Sequence, residues 1–130
     1  MREPKYKYWD GELKQMCDVR AIVWHNNMIA NIEVFDSKTM FRNPNMFYGH
    51  ALLEYTGLKD KNGKEGYFDD LVKWGKSIYQ IIWDDNEGVA WLQRVSGNET
   101  WRRLRIHLIK QGEIIGNLHE SKGVIEQDVQ

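Results

Sequence analysis

The chain has 130 residues, with 18 Lys and Arg against 19 Asp and Glu, a net charge of −1. Hydrophobic residues at 42% and charged residues at 28% exclude a disordered or fibrous chain. The charge balance excludes a globally basic nucleic-acid coat or a polybasic membrane binder. One domain, or one domain with an extension, fits this length, with a core that needs no staples.

In chain order, Lys5 to Trp9 predicts a first strand, ended by the turn pair Asp10-Gly11. Met16 to Trp24 predicts its return, and His25-Asn26-Asn27 a turn into a third strand, Met28 to Phe35. Residues 36–49 mix polar groups, Pro44 and aromatics. They predict a long loop that covers the core through Phe41, Met46, Phe47 and Tyr48. Ala51 to Thr56 is strand-like, and Leu58 to Gly66 is a polar turn region sharpest at Asn62-Gly63. Tyr67 to Trp74 predicts another strand. Ser77 to Trp83 and Gly88 to Val95 flank the acidic turn Asp84-Asp85-Asn86-Glu87, a hairpin pattern. Trp101 to Lys110 alternates, with Leu104, Ile106 and Leu108 on one side and Arg103, Arg105 and His107 on the other. Gln111-Gly112 turns the chain into a last strand, Glu113 to Leu118, before a polar tail. The expectation is a mainly β protein.

Four blocks carry a resemblance. They are Arg2 to Asp10 (REPKYKYWD), Leu52 to Val72 (LLEYTGLKDKNGKEGYFDDLV), Gly88-Val89, and Ile114 to Glu120 (IIGNLHE). Their order and spacing resemble the YopX family of phage and prophage proteins. The resemblance implies an N-terminal β-rich subdomain with a loop over residues 1–48, a small SH3-like barrel over 49–120 and a tail over 121–130. It carries no catalytic motif. The chain departs from the family pattern at Tyr67-Phe68-Asp69-Asp70, where the family has Tyr-Glu-Gly-Asp. That glycine commonly serves a tight turn with positive φ. Asp69 tolerates that region better than most residues, so the turn is expected to survive at a cost. Gly57 and Gly116 suit bulges or close backbone approaches, and Asn117 suits a local backbone bond.

The chemical motifs are few. Cys17 is the single cysteine, so no internal disulfide or CxxC site exists. The N-terminal stretch Met1 to Trp9 lacks an apolar segment of the kind in signal peptides, and no apolar run is long enough to span a bilayer. The cytoplasm is the expected compartment. Gly75-Lys76-Ser77 looks like the end of a phosphate loop, but Asp70 stands where the first glycine is required. His25, His50, His107 and His119 show no metal-ligand spacing. No cofactor or metal is expected.

Three functional readings are open. Six tryptophans exceed what a small core buries. The surplus rings, with Tyr8, Trp9, Phe68, Trp83, Trp91 and Trp101 as candidates, are expected to contact a protein partner, another chain or a second copy of this one. The alternative is nucleic acid along the basic row Arg103, Arg105 and His107, beside the stacking face of Trp101; an ordinary charged outer face is favoured over it. The weakest is a metal-dependent enzyme using Asp69, Asp70, Asp84 and Asp85.

Overall fold

A computed structural model describes residues 4–35, the backbone of 41–42, and 51–120. The protein is mainly β, with antiparallel sheets, as its alternating patterns require. It divides into two compact units, one of residues 4–54 and one from Tyr55 onward. No helix among the described residues is long and apolar enough to cross a membrane.

The first unit holds β1 (Tyr6–Asp10), β2 (Gln15–His25), β3 (Met28–Val34), β4 (Phe41–Arg42) and the start of β5 (Ala51–Lys59), in the order β4-β3-β2-β1-β5. Asp10 Oδ1 accepts the N–H groups of Glu12 and Leu13, at 3.0 and 3.1 Å, and so closes the β1–β2 turn. Asn26 and Asn27 both take positive φ, 52° and 64°, the geometry of a tight two-residue hairpin between β2 and β3. Tyr8, Cys17, Ile32 and Val34 form the core of this unit. The expected cover by Phe41, Met46, Phe47 and Tyr48 concerns side chains outside the described residues.

The second unit takes up β5, whose later part pairs with β6 (Glu65–Tyr67). Gly57, at φ 87°, sits in a break of register between those strands. A five-stranded sheet follows in the order β10-β9-β8-β7-β11, built from β7 (Asp70–Trp74), β8 (Ser77–Asp84), β9 (Val89–Ser96), β10 (Arg103–Arg105) and β11 (Glu113–Asn117). The register also shifts in β11, between Ile114 and Gly116. Val72, Tyr79, Ile81, Leu92, Leu104, Ile109 and Ile114 form the core. No hydrogen-bonded pairing among the described residues closes this sheet into a barrel.

Two sequence expectations are corrected here. The run from Tyr67 to Trp74 is not one strand, because Phe68 and Asp69 turn between β6 and β7. The run from Trp101 to Lys110 is a strand only over Arg103–Arg105, and Ile106–Gln111 is a 3₁₀ helix. Ile109 explains the second. It is fully buried, and strict alternation with Leu104 would have turned it outward. A helix of three residues per turn places Ile106 and Ile109 on one side.

Asp60 anchors the β5–β6 turn to the last strand. Its Oδ1 accepts the N–H groups of Asn62 and Lys64, both at 2.9 Å, and its Oδ2 accepts the N–H of Ile114 at 2.8 Å. Burial pushes its carboxyl pKa up more than any other single influence. The N–H groups of Ile114, Lys64 and Asn62, with the Lys64 charge, together outweigh it and hold the group below its ordinary value.

Candidate partner-binding site on the outer face of β9 and β10

The β8–β9 hairpin turn is set by Asp84. Its Oδ1 accepts the N–H groups of Asn86 and Glu87, at 2.9 and 3.2 Å, and its main-chain oxygen accepts the N–H of Gly88 at 2.8 Å. The other carboxylate oxygen meets Arg103 Nη1 at 3.1 Å. The Glu87 N–H is the largest influence holding this carboxyl below its ordinary value, helped by Asn86 and Arg103 against a smaller opposing effect of burial.

The pairing of β10 on β9 places Arg103 opposite Gln93 and Arg105 opposite Trp91. Leu104 between them is buried, so both arginines stand on the outer face. Arg103 is fully engaged. Its Nε donates to Gln93 Oε1 at 3.1 Å, its Nη1 holds Asp84, and its guanidinium carbon lies 5.4 Å from the centre of the Trp91 ring. Arg105 has no hydrogen-bond or ion-pair partner among the described residues.

Beside Arg105 lies a cleft of about 390 Å³. Val89, Ala90, Trp91 and Ile106 supply its apolar lining, and Glu87, Arg105 and His107 its polar groups. Trp91 Nε1 is shielded and has no hydrogen-bond acceptor among the described residues. Val89 is exposed at the hairpin end.

The loop before β10 is held from beneath. The Tyr79 hydroxyl donates to the main-chain oxygen of Trp101 at 2.8 Å, and Ser77 Oγ accepts the N–H of Glu99 at 2.9 Å. Arg94 Nη1 donates to the main-chain oxygen of Glu99. Burial pushes the Tyr79 hydroxyl pKa up, Glu99 adds to this, and Arg94 partly offsets it. Trp101 is thus presented on an anchored loop at 64% exposure.

The predicted rings separate into three groups. Trp91 and Trp101 flank β10, and Trp83 is exposed at 51% on the end of β8, edge-on to Phe68 at 6.3 Å. Phe68 is half-buried against the core. Tyr8 and Trp9 are buried, which corrects the expectation that they face a partner. Their strand, β1, is flanked by β2 and β5 on its two edges, and Tyr8 packs with Cys17 and Ile32. The basic row is also corrected: Arg103 and Arg105 lie on β10, whereas His107 lies on the 3₁₀ helix and reaches the cleft from another element.

The expected carboxylate cluster has other uses. Asp70 Oδ2 accepts the Tyr67 N–H at 2.8 Å, and Asp69 holds Gln80 and His119. Asp84 caps its turn, and Asp85 is exposed beside it. Among the described residues no three His, Cys, Asp or Glu side chains are grouped to hold a metal.

Sequence reasoning missed Trp24 and Met28, exposed at 59% and 64% near the tip of the β2–β3 hairpin. A register shift between Val23 and Trp24 breaks the alternation there, and no residue type marks it.

Residues 5–126 match a family model described as YopX protein. No curated protein matches the sequence. The fold is similar to that of protein EF1440 from Enterococcus faecalis, a crystal structure, with a TM-score of 0.67 and 20% identity over 96% of this chain and 99% of that one.

Proposed function

This chain belongs to the YopX family, and on that premise we propose that it acts by binding a protein partner rather than by catalysis. The observation that carries the reading is the outer face of β9 and β10. There an apolar cleft adjoins Arg105, which has no partner among the described residues; ahead of the same strand, Trp101 stands exposed on an anchored loop. Aromatic rings and arginines dominate protein-binding hot spots. The proposal includes a phage or prophage setting, action in the cytoplasm, and a partner that is either another protein or a second copy of this chain. It also includes an SH3-like barrel for the second unit. The support is that β10, the 3₁₀ helix and β11 form one continuous segment whose two strands occupy opposite ends of the five-stranded order. The 3₁₀ turn carries the chain from the strand at one end of that order to the strand at the other.

Selection of phage-displayed random peptides against the full chain tests the binding reading. Enriched peptides are expected to lose binding when Val89→Glu or Trp101→Ala is introduced. Failure to enrich any peptide, or binding indifferent to both variants, overturns it.

Nucleic-acid binding is the second reading, favoured by Arg105 and His107 lining one cleft with Trp91. Arg103 is already committed to Asp84, which leaves the row short of the several phosphate contacts such binding needs. A gel shift at low salt that disappears with Arg105→Glu would support it.

A further inference from the structure

Resting on the binding reading above, we infer that the free edge of β10 accepts an extended acidic protein segment by strand addition, with one of its apolar side chains seated in the cleft beside Trp91. The ladder itself carries the argument. Arg94 donates its N–H to the main-chain oxygen of Arg102 at 2.7 Å, and the register runs Arg103↔Gln93, Leu104↔Leu92, Arg105↔Trp91. In an antiparallel pair, hydrogen-bonded and non-bonded positions alternate. Arg102 and Leu104 therefore turn their main-chain groups toward β9, and Arg103 and Arg105 turn theirs away. β10 ends the strand order, and no described strand pairs with its other side. The N–H and C=O of Arg103 and the N–H of Arg105 line that side, while the Arg105 C=O faces the start of the 3₁₀ helix that Arg105 caps.

The same two residues project their side chains onto the outer face, so one edge offers both backbone pairing and charge. An added strand supplies main-chain bonds for affinity, with alternate side chains giving specificity. Arg102, Arg103 and Arg105 are all exposed on this stretch. Asp84 engages Arg103, and Glu87 is the acidic group lining the cleft. Three arginines against these two carboxylates leave one positive charge on this edge, which selects glutamate or aspartate in the segment. Past Arg105 the strand gives way to the cleft, where about 390 Å³ accommodates one large apolar side chain.

The test uses the full chain and a short fluorescein-labelled peptide alternating glutamate with leucine, read by anisotropy. The peptide is expected to bind, and a twin with lysine for glutamate is not. Arg105→Glu is expected to weaken binding about tenfold or more, and Val89→Glu to weaken it through the cleft, with circular dichroism confirming that both variants fold. Backbone N-methylation at alternate peptide positions is expected to abolish binding, because it removes the strand's donors. Equal binding of the lysine twin, indifference to N-methylation, or capture of single-stranded DNA in preference to the peptide would each overturn the inference. If selected phage peptides bind at Val89 and Trp101 but are not acidic, this inference falls and the binding reading stands; if none binds, both fall.

Discussion

Asp69 adopts φ 71°, a backbone region that favours glycine, and the surrounding contacts hold it there. Its N–H donates to the Ile81 oxygen at 2.9 Å, and its own oxygen accepts the Leu118 N–H at 2.7 Å. Its carboxylate accepts Gln80 Nε2 at 2.9 Å and meets His119 Nε2 at 3.1 Å. Burial raises the carboxyl pKa most, but the His119 and Gln80 bonds and the His119 charge bring it below the ordinary value. A glycine would relieve the backbone and forfeit the carboxylate bonds. Asp69→Ala loses both, so it is expected to cost about 1 kcal/mol more than Asp69→Gly, measured by urea unfolding. That Asp69 would take this turn followed from the family resemblance, which has a glycine at its position; the alternation alone reads Tyr67 to Trp74 as one strand. That His119 would meet it was not legible in the sequence, since the two lie 50 positions apart. Asn117 behaves as its type suggests: its Oδ1 accepts the Glu120 N–H at 2.9 Å. Asp60 is the costlier residue to replace. Asp60→Ala leaves three N–H groups without their acceptor, one of them from Ile114, and is expected to destabilise by about 3 kcal/mol, seen as a lower urea midpoint.

At the scale of elements, the 3₁₀ helix separates what pattern shows from what packing decides. Leu104, Ile106 and Leu108 alternate as a strand would, and that reading is correct only as far as Arg105. Ile109 breaks the phase, and its complete burial is what bends the segment into a helix. Ile109→Ala is expected to cost about 2–5 kcal/mol, and Leu108→Ala distinctly less, because Leu108 is only half-buried; thermal unfolding of both variants checks the ranking. The β2–β3 and β8–β9 hairpins were legible because Asn-Asn and the Asp84 turn announce themselves locally. The loop ahead of β10 was not. Its anchor is a hydroxyl on a neighbouring strand, and Tyr79→Phe is expected to loosen that loop at about 1 kcal/mol. Trp101 should then become more open to acrylamide quenching in a variant where the other exposed indoles are replaced.

For the whole molecule, the titrating groups predict a stability plateau with two edges. Asp60, Asp69 and Asp84 all have depressed folded pKa values. The unfolded chain therefore binds protons first as pH falls below about 4, and the stability these groups contribute is lost as pH drops through their folded values. Tyr79 is shifted upward. Its neutral form is favoured in the fold, so stability declines once the unfolded tyrosine ionises above about pH 10. Urea midpoints across pH should fall at both ends. A midpoint flat between pH 5 and pH 2 would contradict the acid edge.

By itself the sequence determined the class of structure. Alternation with period two, broken by Gly, Asn and Asp, leaves antiparallel strands as the way to bury one face and wet the other. It also determined which turns tolerate positive φ and where the charges fall along each strand. The tertiary structure decided which aromatic rings are buried. Tyr8 and Trp9 look as available as Trp101 in one dimension, and only strand order puts β1 between two neighbours. It also decided that Arg103 is spent on Asp84 while Arg105 is left beside a cleft. Ring exposure and ion pairing depend on residues far apart in the chain, and no local pattern encodes which distant side chain will arrive.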